Sequence, residues 1–312
     1  MEMIVLGLNV VVPLFIIMAA GYITRRIGII NDLGVGAVNR LLFWVFLPAI
    51  LLVSIYETDL REVFNVGVVV FSVVGTFLVF FVSFLIVPRI EKKRERCGVI
   101  IQGLIRGNEV YFGFPVVVSL IGTEYLGLMS IVVAFAVLVY NGLSVIALEY
   151  FRGETVNKKQ LVKNVVTNPM ILATLLAVLL VLLNIRIPEM IFKGLESMSQ
   201  VASPFALFVL GASFTFTSTK KYLKDVFWVT LFRLFIIPGV VTLTAFWMGF
   251  SSPEIIILFV TFGVPTAVAS YAMARELKAD YELASQIVVF TSLFSVISIF
   301  IWTIIMQLVG IL

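Results

Sequence analysis

The 312-residue chain contains no histidine and a single cysteine, Cys97. Without imidazole there is no Ser–His or Cys–His nucleophile pair, and no His/Cys metal site can be assembled. One thiol cannot close an internal disulfide, so Cys97, in a basic stretch, reads as a free cytosolic thiol. Charge is scarce too: 13% of residues are Asp, Glu, Lys or Arg, while 61% are hydrophobic and the mean hydropathy is +1.15. A soluble domain carries roughly 25% charged residues, because a folded core still needs a solvated skin. No GxxxxGK[ST] segment occurs, so ATP-driven pumping lacks its motif. These absences exclude a secreted disulfide scaffold, a nucleic-acid binder and a soluble enzyme, and they call for no cofactor. They leave an all-α membrane protein whose first partner is the lipid bilayer.

Ten apolar runs fall near 3–23, 37–56, 65–88, 98–122, 126–150, 163–184, 190–217, 225–249, 254–275 and 283–310. A helix crosses the hydrocarbon core with about 20 such residues. The first run has Glu2 before it and Arg25-Arg26 after it, the reverse of a signal peptide, and is expected to be retained. Sixteen basic residues occupy one alternating set of connections, among them Arg25, Arg89, Lys158, Lys220 and Arg275. Only Arg61, Arg186 and Lys193 occupy the other set. Cytoplasmic loops hold the excess of Lys and Arg, which accounts for the net charge of +4. The expectation is a multi-pass protein of the cell membrane with both termini outside.

Prolines suggest an internal repeat. Pro13 and Pro48 recur 156 residues later as Pro169 and Pro204, and Pro88 and Pro115 recur 150 residues later as Pro238 and Pro265. In the second frame Gly113-Phe114-Pro115 matches Gly263-Val264-Pro265, Tyr140-Asn141 falls opposite Phe290-Thr291, and Arg233 has Ser83 as its mate. The reading is a first repeat at 1–152, a cytoplasmic linker at 153–164 and a second repeat at 165–312. Five helices per half inverts the second copy, the arrangement secondary carriers use for alternating access.

Helices four and nine are the candidate broken pair. Glycine lets the chain turn and proline suits the first turn of a new helix, so unwound links are expected near 107–114 and 262–264. Gly107, Gly113 and Gly263 would be the hinges. The N–H groups of the following half-helices, near Val116–Val118 and Thr266–Val268, would favour a carboxylate. Arg106 and Glu109 lie about 13 and 18 Å into the membrane from Cys97 and, three residues apart, can pair. Arg106 either caps the first half-helix or attracts an anion; Glu109 is the candidate for proton coupling. Arg233 either lines the cavity or holds carbonyls of a broken helix, and Arg40 snorkels at a helix end. Asn141, Thr266, Ser270 and Tyr271 either bind a ligand or tie helices together. The deep charges sum to +1, and no Asp/Glu cluster is present to strip water from sodium, which favours a small organic anion.

Several stretches together resemble the auxin efflux carrier family, which includes bacterial malate/malonate permease-like carriers. They are Asn39 to Leu51, Arg106-Gly107-Asn108 with Gly113-Phe114-Pro115, Leu210 to Ser213, Arg233 ahead of Pro238, Pro265 to Tyr271, and Asp280 to Ser285 with Thr291. The resemblance implies the crossed-helix fold of bile-acid symporters and sodium–proton antiporters. In it helices 1, 2, 6 and 7 form a scaffold, and helices 3–5 with 8–10 a moving transport unit. It also implies an elevator-like motion, a homodimer, and carboxylate binding at Asn108, Pro115 and Pro265. The short connection between the halves resembles the bacterial branch. The expected function is secondary or facilitative transport of small carboxylates. A Na⁺-coupled symporter of the same fold and a transporter-derived ligand sensor are the alternatives.

Overall fold

The computed structural model describes residues 2–57, 65–153 and 158–312. Arg61 and part of the 153–164 linker lie outside the described residues. The described chain is helical, and its one β-type pairing is an isolated antiparallel bridge between Gly107 and Thr266. In order, the helices are α1 (Glu2–Arg26), α2 (Asp32–Leu41), α3 (Leu47–Tyr56), α4 (Val66–Ile90), α5 (Arg94–Ile105), α6 (Phe114–Ile121), α7 (Leu126–Tyr150), α8 (Lys158–Val166), α9 (Pro169–Leu182), α10 (Glu189–Ser213), α11 (Phe216–Leu231), α12 (Ile237–Trp247), α13 (Ser252–Gly263), α14 (Ala269–Glu276) and α15 (Tyr281–Val309). Polar side chains cap several starts by accepting backbone N–H groups: Asn31 from Gly34, Asn65 from Val68, Asn168 from Met170, and Asp280 from Leu283.

Among the described residues three π-helical turns carry the chain across prolines. Leu42–Phe46 joins α2 to α3 ahead of Pro48, Glu109–Gly113 leads into α6 ahead of Pro115, and Phe232–Ile236 joins α11 to α12 ahead of Pro238. Proline offers no N–H and its ring clashes with the carbonyl four residues back, so a wider turn relieves both constraints. At Pro238 the freed carbonyl, Leu234, is taken by the Trp302 indole N–H at 3.0 Å.

Among the described residues six helices or fused helices are long and apolar enough to cross a bilayer, and α8 with α9, bent by 54° at Thr167-Asn168, makes a seventh if taken as one span. The ten expected runs therefore do not all become continuous apolar helices. Those at 98–122 and 254–275 are interrupted, and α10 carries Glu189, Lys193 and Glu196 in its first turns. Exposed apolar side chains such as Val70, Val74, Leu78, Phe81 and Leu85 run down α4, as on a lipid-facing surface.

The 150-residue proline frame does not hold. α5 and α13 are both twelve residues long and start 158 apart, at Arg94 and Ser252. Asp32 and Glu189, Tyr56 and Ser213, and Ile90 and Trp247 bound elements 157 apart. Pro88 sits two residues before the end of α4, whereas Pro238 sits nine before the end of α12. Pro115 follows the end of α5 by ten residues, but Pro265 follows the end of α13 by two. The pairings drawn from that frame, Tyr140-Asn141 with Phe290-Thr291 and Arg233 with Ser83, fall with it. Tolerance of proline in kinks and first turns made the spacing coincide.

One end of the bundle gathers the basic residues. Arg94 donates to the carbonyls of Tyr150 and Gly153 at 2.9 and 2.8 Å, and Arg96 bridges Asp225 and Asp280, each at 3.2 Å. Arg25 donates to Ala212 O at 3.1 Å, and the Arg275 guanidinium lies 5.0 Å from the Tyr281 ring centre. At the opposite end the Tyr56 hydroxyl accepts Ile187 N–H at 2.9 Å, and Asn65 meets Glu254. α1 and α10 approach closely because a Cβ on Gly21 or Gly211 would overlap the carbonyls of Phe208 or Met18.

Candidate functional site

α5 and α13 both leave the helix at the same place in the molecule. After Ile105 the chain is non-helical through Arg106, Gly107 and Asn108 and turns helical again at Glu109; after Gly263 it resumes at Ala269. The two stretches lie antiparallel. Asn108 N–H donates to Pro265 O at 2.9 Å, and Ala267 N–H donates to Arg106 O at 3.2 Å. Burying a polar backbone group without a partner costs about 2–7 kcal/mol, so unwound chain at this depth persists because each link satisfies the other. Gly107 is required sterically: a Cβ there would overlap Arg233 Nη2 and Glu109 Oε1 and sit 2.8 Å from Val264 Cγ2.

Arg233, fully buried, closes the crossing from behind. Its Nε donates to Val264 O at 2.9 Å, Nη1 to Leu104 O at 3.0 Å and Nη2 to Thr261 O at 3.4 Å. One side chain thereby serves the carbonyl ends of both interrupted helices, where the helix dipoles concentrate partial negative charge. The planar guanidinium fork makes this possible; a lysine ammonium has no such spread of donors.

In front of the crossing lies a cavity of about 360 Å³, within the range of about 300–1,000 Å³ usual for small-molecule sites. Its deep end is lined by Arg106, Asn108, Glu109, Tyr140 and Asn141, with Ala267–Ala269 beside them; its walls include Leu47, Leu51, Val137 and Met170. It extends to Glu57 and Gly127, at the end of the bundle away from the basic cluster. At that mouth burial, with the neighbouring Glu196 adding to it, lifts the Glu57 carboxyl above the usual carboxylate range.

The deep end is rich in polar atoms without partners. Asn108 Nδ2, both amide atoms of Asn141, Arg106 Nε and Glu109 Oε1 are buried and unbonded. Native interiors pair the great majority of such groups, and here five unpaired atoms sit on residues that line one cavity. Three of the five are N–H donors, and their residues line the cavity together with Glu109, Val110 and Tyr111, which open the next helical segment, a combination suited to a carboxylate. The remaining contacts fix the frame: Tyr140 OH donates to Glu109 Oε2 at 2.9 Å, and the Arg106 guanidinium lies 5.7 Å from the Tyr140 ring centre and reaches Met273 Sδ. Among the described residues no group of three or more Cys, Asp or Glu is placed to hold a metal ion.

The family model described as "Membrane transport protein" matches residues 6–303. The chain belongs to this family, which is that of the auxin efflux carriers. Similar members include an uncharacterized transporter of Methanocaldococcus jannaschii, 22% identical over 309 residues that cover 95% of this chain and 97% of the relative. An uncharacterized transporter of Methanothermobacter thermautotrophicus is 22% identical over 299 residues, covering 95% and 97%. A Rhizobium meliloti protein named "Putative malonate transporter" is 22% identical over 299 residues, covering 93% of each chain. Family and relatives are transporters, not enzymes.

Within this family member the residues singled out from the sequence separate into two groups. Arg106, Gly107, Asn108, Glu109 and Asn141 line the cavity. Pro115, Pro265, Thr266, Ser270, Tyr271 and Arg233 are not among its lining residues. Thr266 is committed to the frame, donating from Oγ1 to Gly103 O at 2.9 Å and from N–H to Thr291 Oγ1 at 3.1 Å. The Tyr271 hydroxyl meets Ser213 and the Arg275 guanidinium at the basic end, and Ser270 Oγ is buried without a partner. The expected link at 107–114 is found at 106–108, and that at 262–264 is found at 264–268. Gly113 lies inside the π turn, not at a hinge, because the chain is already helical from Glu109, ahead of Pro115; Gly263 is the last residue of α13. The break also separates Arg106 from Glu109, so they turn to Met273 and Tyr140 instead of each other, and the capping role falls to Arg233. Tyr140, Met273 and the α3 wall were missed. Tyr140 carried the one usable signal, a phenol beside a buried asparagine in an otherwise apolar helix.

Proposed function

We propose that the chain is a secondary or facilitative carrier of small organic anions, with the carboxylate held at the crossing of the two links. The observation that carries this reading is the set of buried unbonded donors, Asn108 Nδ2, Asn141 Nδ2 and Arg106 Nε, on residues that line a cavity of about 360 Å³. The relative named for malonate supports a carboxylate as cargo. The bacterial branch of the family, and a place in the cell membrane with both termini outside, belong to the same reading.

The recurrence of element bounds at 157 and 158 residues and the antiparallel meeting of Gly107 with Thr266 support ten spans in two inverted repeats. In this proposal α1–α3 and α8–α10 form the scaffold, while α4–α7 and α11–α15 move as the transport unit in an elevator-like step. A homodimer through the scaffold accompanies it. Glu109, with one oxygen on Tyr140 and the other unbonded, is the proton-coupling group. The cavity opens away from the basic end, which supports reading this arrangement as the state that exchanges substrate there.

Uptake of labelled malate, malonate, citrate and indole-acetate into proteoliposomes tests the proposal. Saturable uptake of at least one of them, with KM raised roughly tenfold or more in Asn108→Ala, is expected. No saturable uptake of any, or Asn108→Ala behaving as wild type, contradicts it. Sodium-dependent uptake reassigns the carrier to cation-coupled symport.

A further inference from the structure

We propose that the C-terminal turn of α14 is a latch that holds the cavity shut toward the basic end, with Arg275 and Glu276 as positioning residues. This rests on the carrier reading and concerns its alternation between states.

α14 faces both ways. The residues leading into it, Ala267 and Val268, and its first residue, Ala269, line the cavity, while its last turn is tied to α2, the π turn after it and the end of α10. Arg275 Nη1 donates to Ser213 Oγ at 2.8 Å and to Tyr271 OH at 2.6 Å, and its Nη2 reaches Asp32 O at 3.5 Å. Glu276 accepts from Trp44 Nε1 at 3.1 Å and pairs with Arg40 Nε at 3.7 Å. Asn39 Nδ2 donates to Ala272 O at 3.3 Å from a fully buried position. Apart from the Arg275–Tyr271 bond, which lies within α14, each of these contacts joins the unit that carries the crossing to helices assigned as scaffold.

The placement has a mechanical consequence. A cavity that reaches Glu57 and Gly127 at one end must be sealed at the other, and α14 with its partners stands between the cavity floor and the basic end. Moving the crossing toward that end requires α14 to leave α2 and α10, which breaks the Arg275 and Glu276 contacts together. Hydrogen bonds from charged groups are the strong ones, and the Arg275 set is half-buried, so it weighs more than the exposed Arg40 pair. A contact present in one state only shifts the equilibrium between states by its own free energy. The latch thus sets how much of the population faces away from the basic end.

Sided thiol labelling tests this. In a Cys97→Ser background, Ala134→Cys places a reporter on the cavity wall without touching the deep polar groups. A membrane-impermeant maleimide is applied to spheroplasts and, separately, to inverted vesicles. With the latch intact, labelling is expected from one face. Arg275→Ala with Glu276→Gln, and independently Asn39→Ala, are expected to raise labelling from the other face roughly tenfold, the scale of one lost charge-assisted hydrogen bond. An unchanged ratio in both variants, with saturable anion uptake intact, overturns the latch and leaves the carrier reading standing. A shifted ratio in a protein that shows no anion uptake supports the latch and removes the carrier reading.

Discussion

Removing the Arg233 side chain is the sharpest perturbation available. It strips three carbonyls, Val264, Leu104 and Thr261, of a donor at 2.9, 3.0 and 3.4 Å and leaves Glu109 beside one fewer cation. Each buried group left unsatisfied costs about 1–3 kcal/mol, and counting only the two short bonds gives about 2–6 kcal/mol. A loss of about 4 kcal/mol, the middle of that range, is therefore expected for Arg233→Ala. Arg233→Lys keeps the charge but reaches fewer carbonyls, and should fall between the two. Arg40→Ala removes an exposed pair worth well under about 1 kcal/mol and serves as the control. Thermal melting of purified protein, followed by size-exclusion recovery after heating, reads the series. At about 2–4 °C per kcal/mol, Arg233→Ala should melt about 10 °C or more below wild type. If Arg233→Ala melts with Arg40→Ala and wild type, the claim that Arg233 holds both interrupted helices is refuted.

Other outcomes follow from the same geometry. Gly107→Ala drives a Cβ into Arg233, Glu109 and Val264 and should abolish uptake, whereas Gly142→Ala, with open space at its Cβ, should transport as wild type. Asn141→Ala removes two buried unbonded polar atoms, so melting temperature should hold or rise while KM for the transported anion rises roughly tenfold. Gly211→Val forces α1 from α10 at the Met18 carbonyl and should cut the yield of folded protein severalfold, read by fluorescence-detected size exclusion. Trp302→Phe leaves the Leu234 carbonyl freed by Pro238 without its donor and should cost about 1–3 kcal/mol in thermal melting, with transport retained.

The helices were legible because lipid-facing sequence must be apolar over a fixed length. The run at 65–88 became α4, and that at 283–310 became α15, nearly to the residue. The interruptions were harder. Gly113 and Pro115 suggested a break in the right helix, yet the unwound residues are Arg106 to Asn108, because a proline in a first turn is compatible with helix while paired backbone across the crossing is what stabilises a gap. That pairing joins Gly107 to Thr266, 159 residues on, and leaves no local trace. Arg233 illustrates the same limit: its charge and depth were plain, but only the fold brings Leu104 and Val264 to its two sides. Asn108 and Asn141 could be singled out as polar groups in apolar surroundings. That both would be left unbonded against one cavity depends on α7 packing beside the crossing.

Equilibrium binding of a labelled carboxylate to the purified protein tests the central claim most directly, since it isolates the crossing from any question of motion or coupling. Wild-type protein is expected to bind one molecule per chain saturably, and Asn108→Ala with Asn141→Ala to lose that binding while remaining folded. Undiminished binding in the double variant would place the ligand elsewhere and contradict the account.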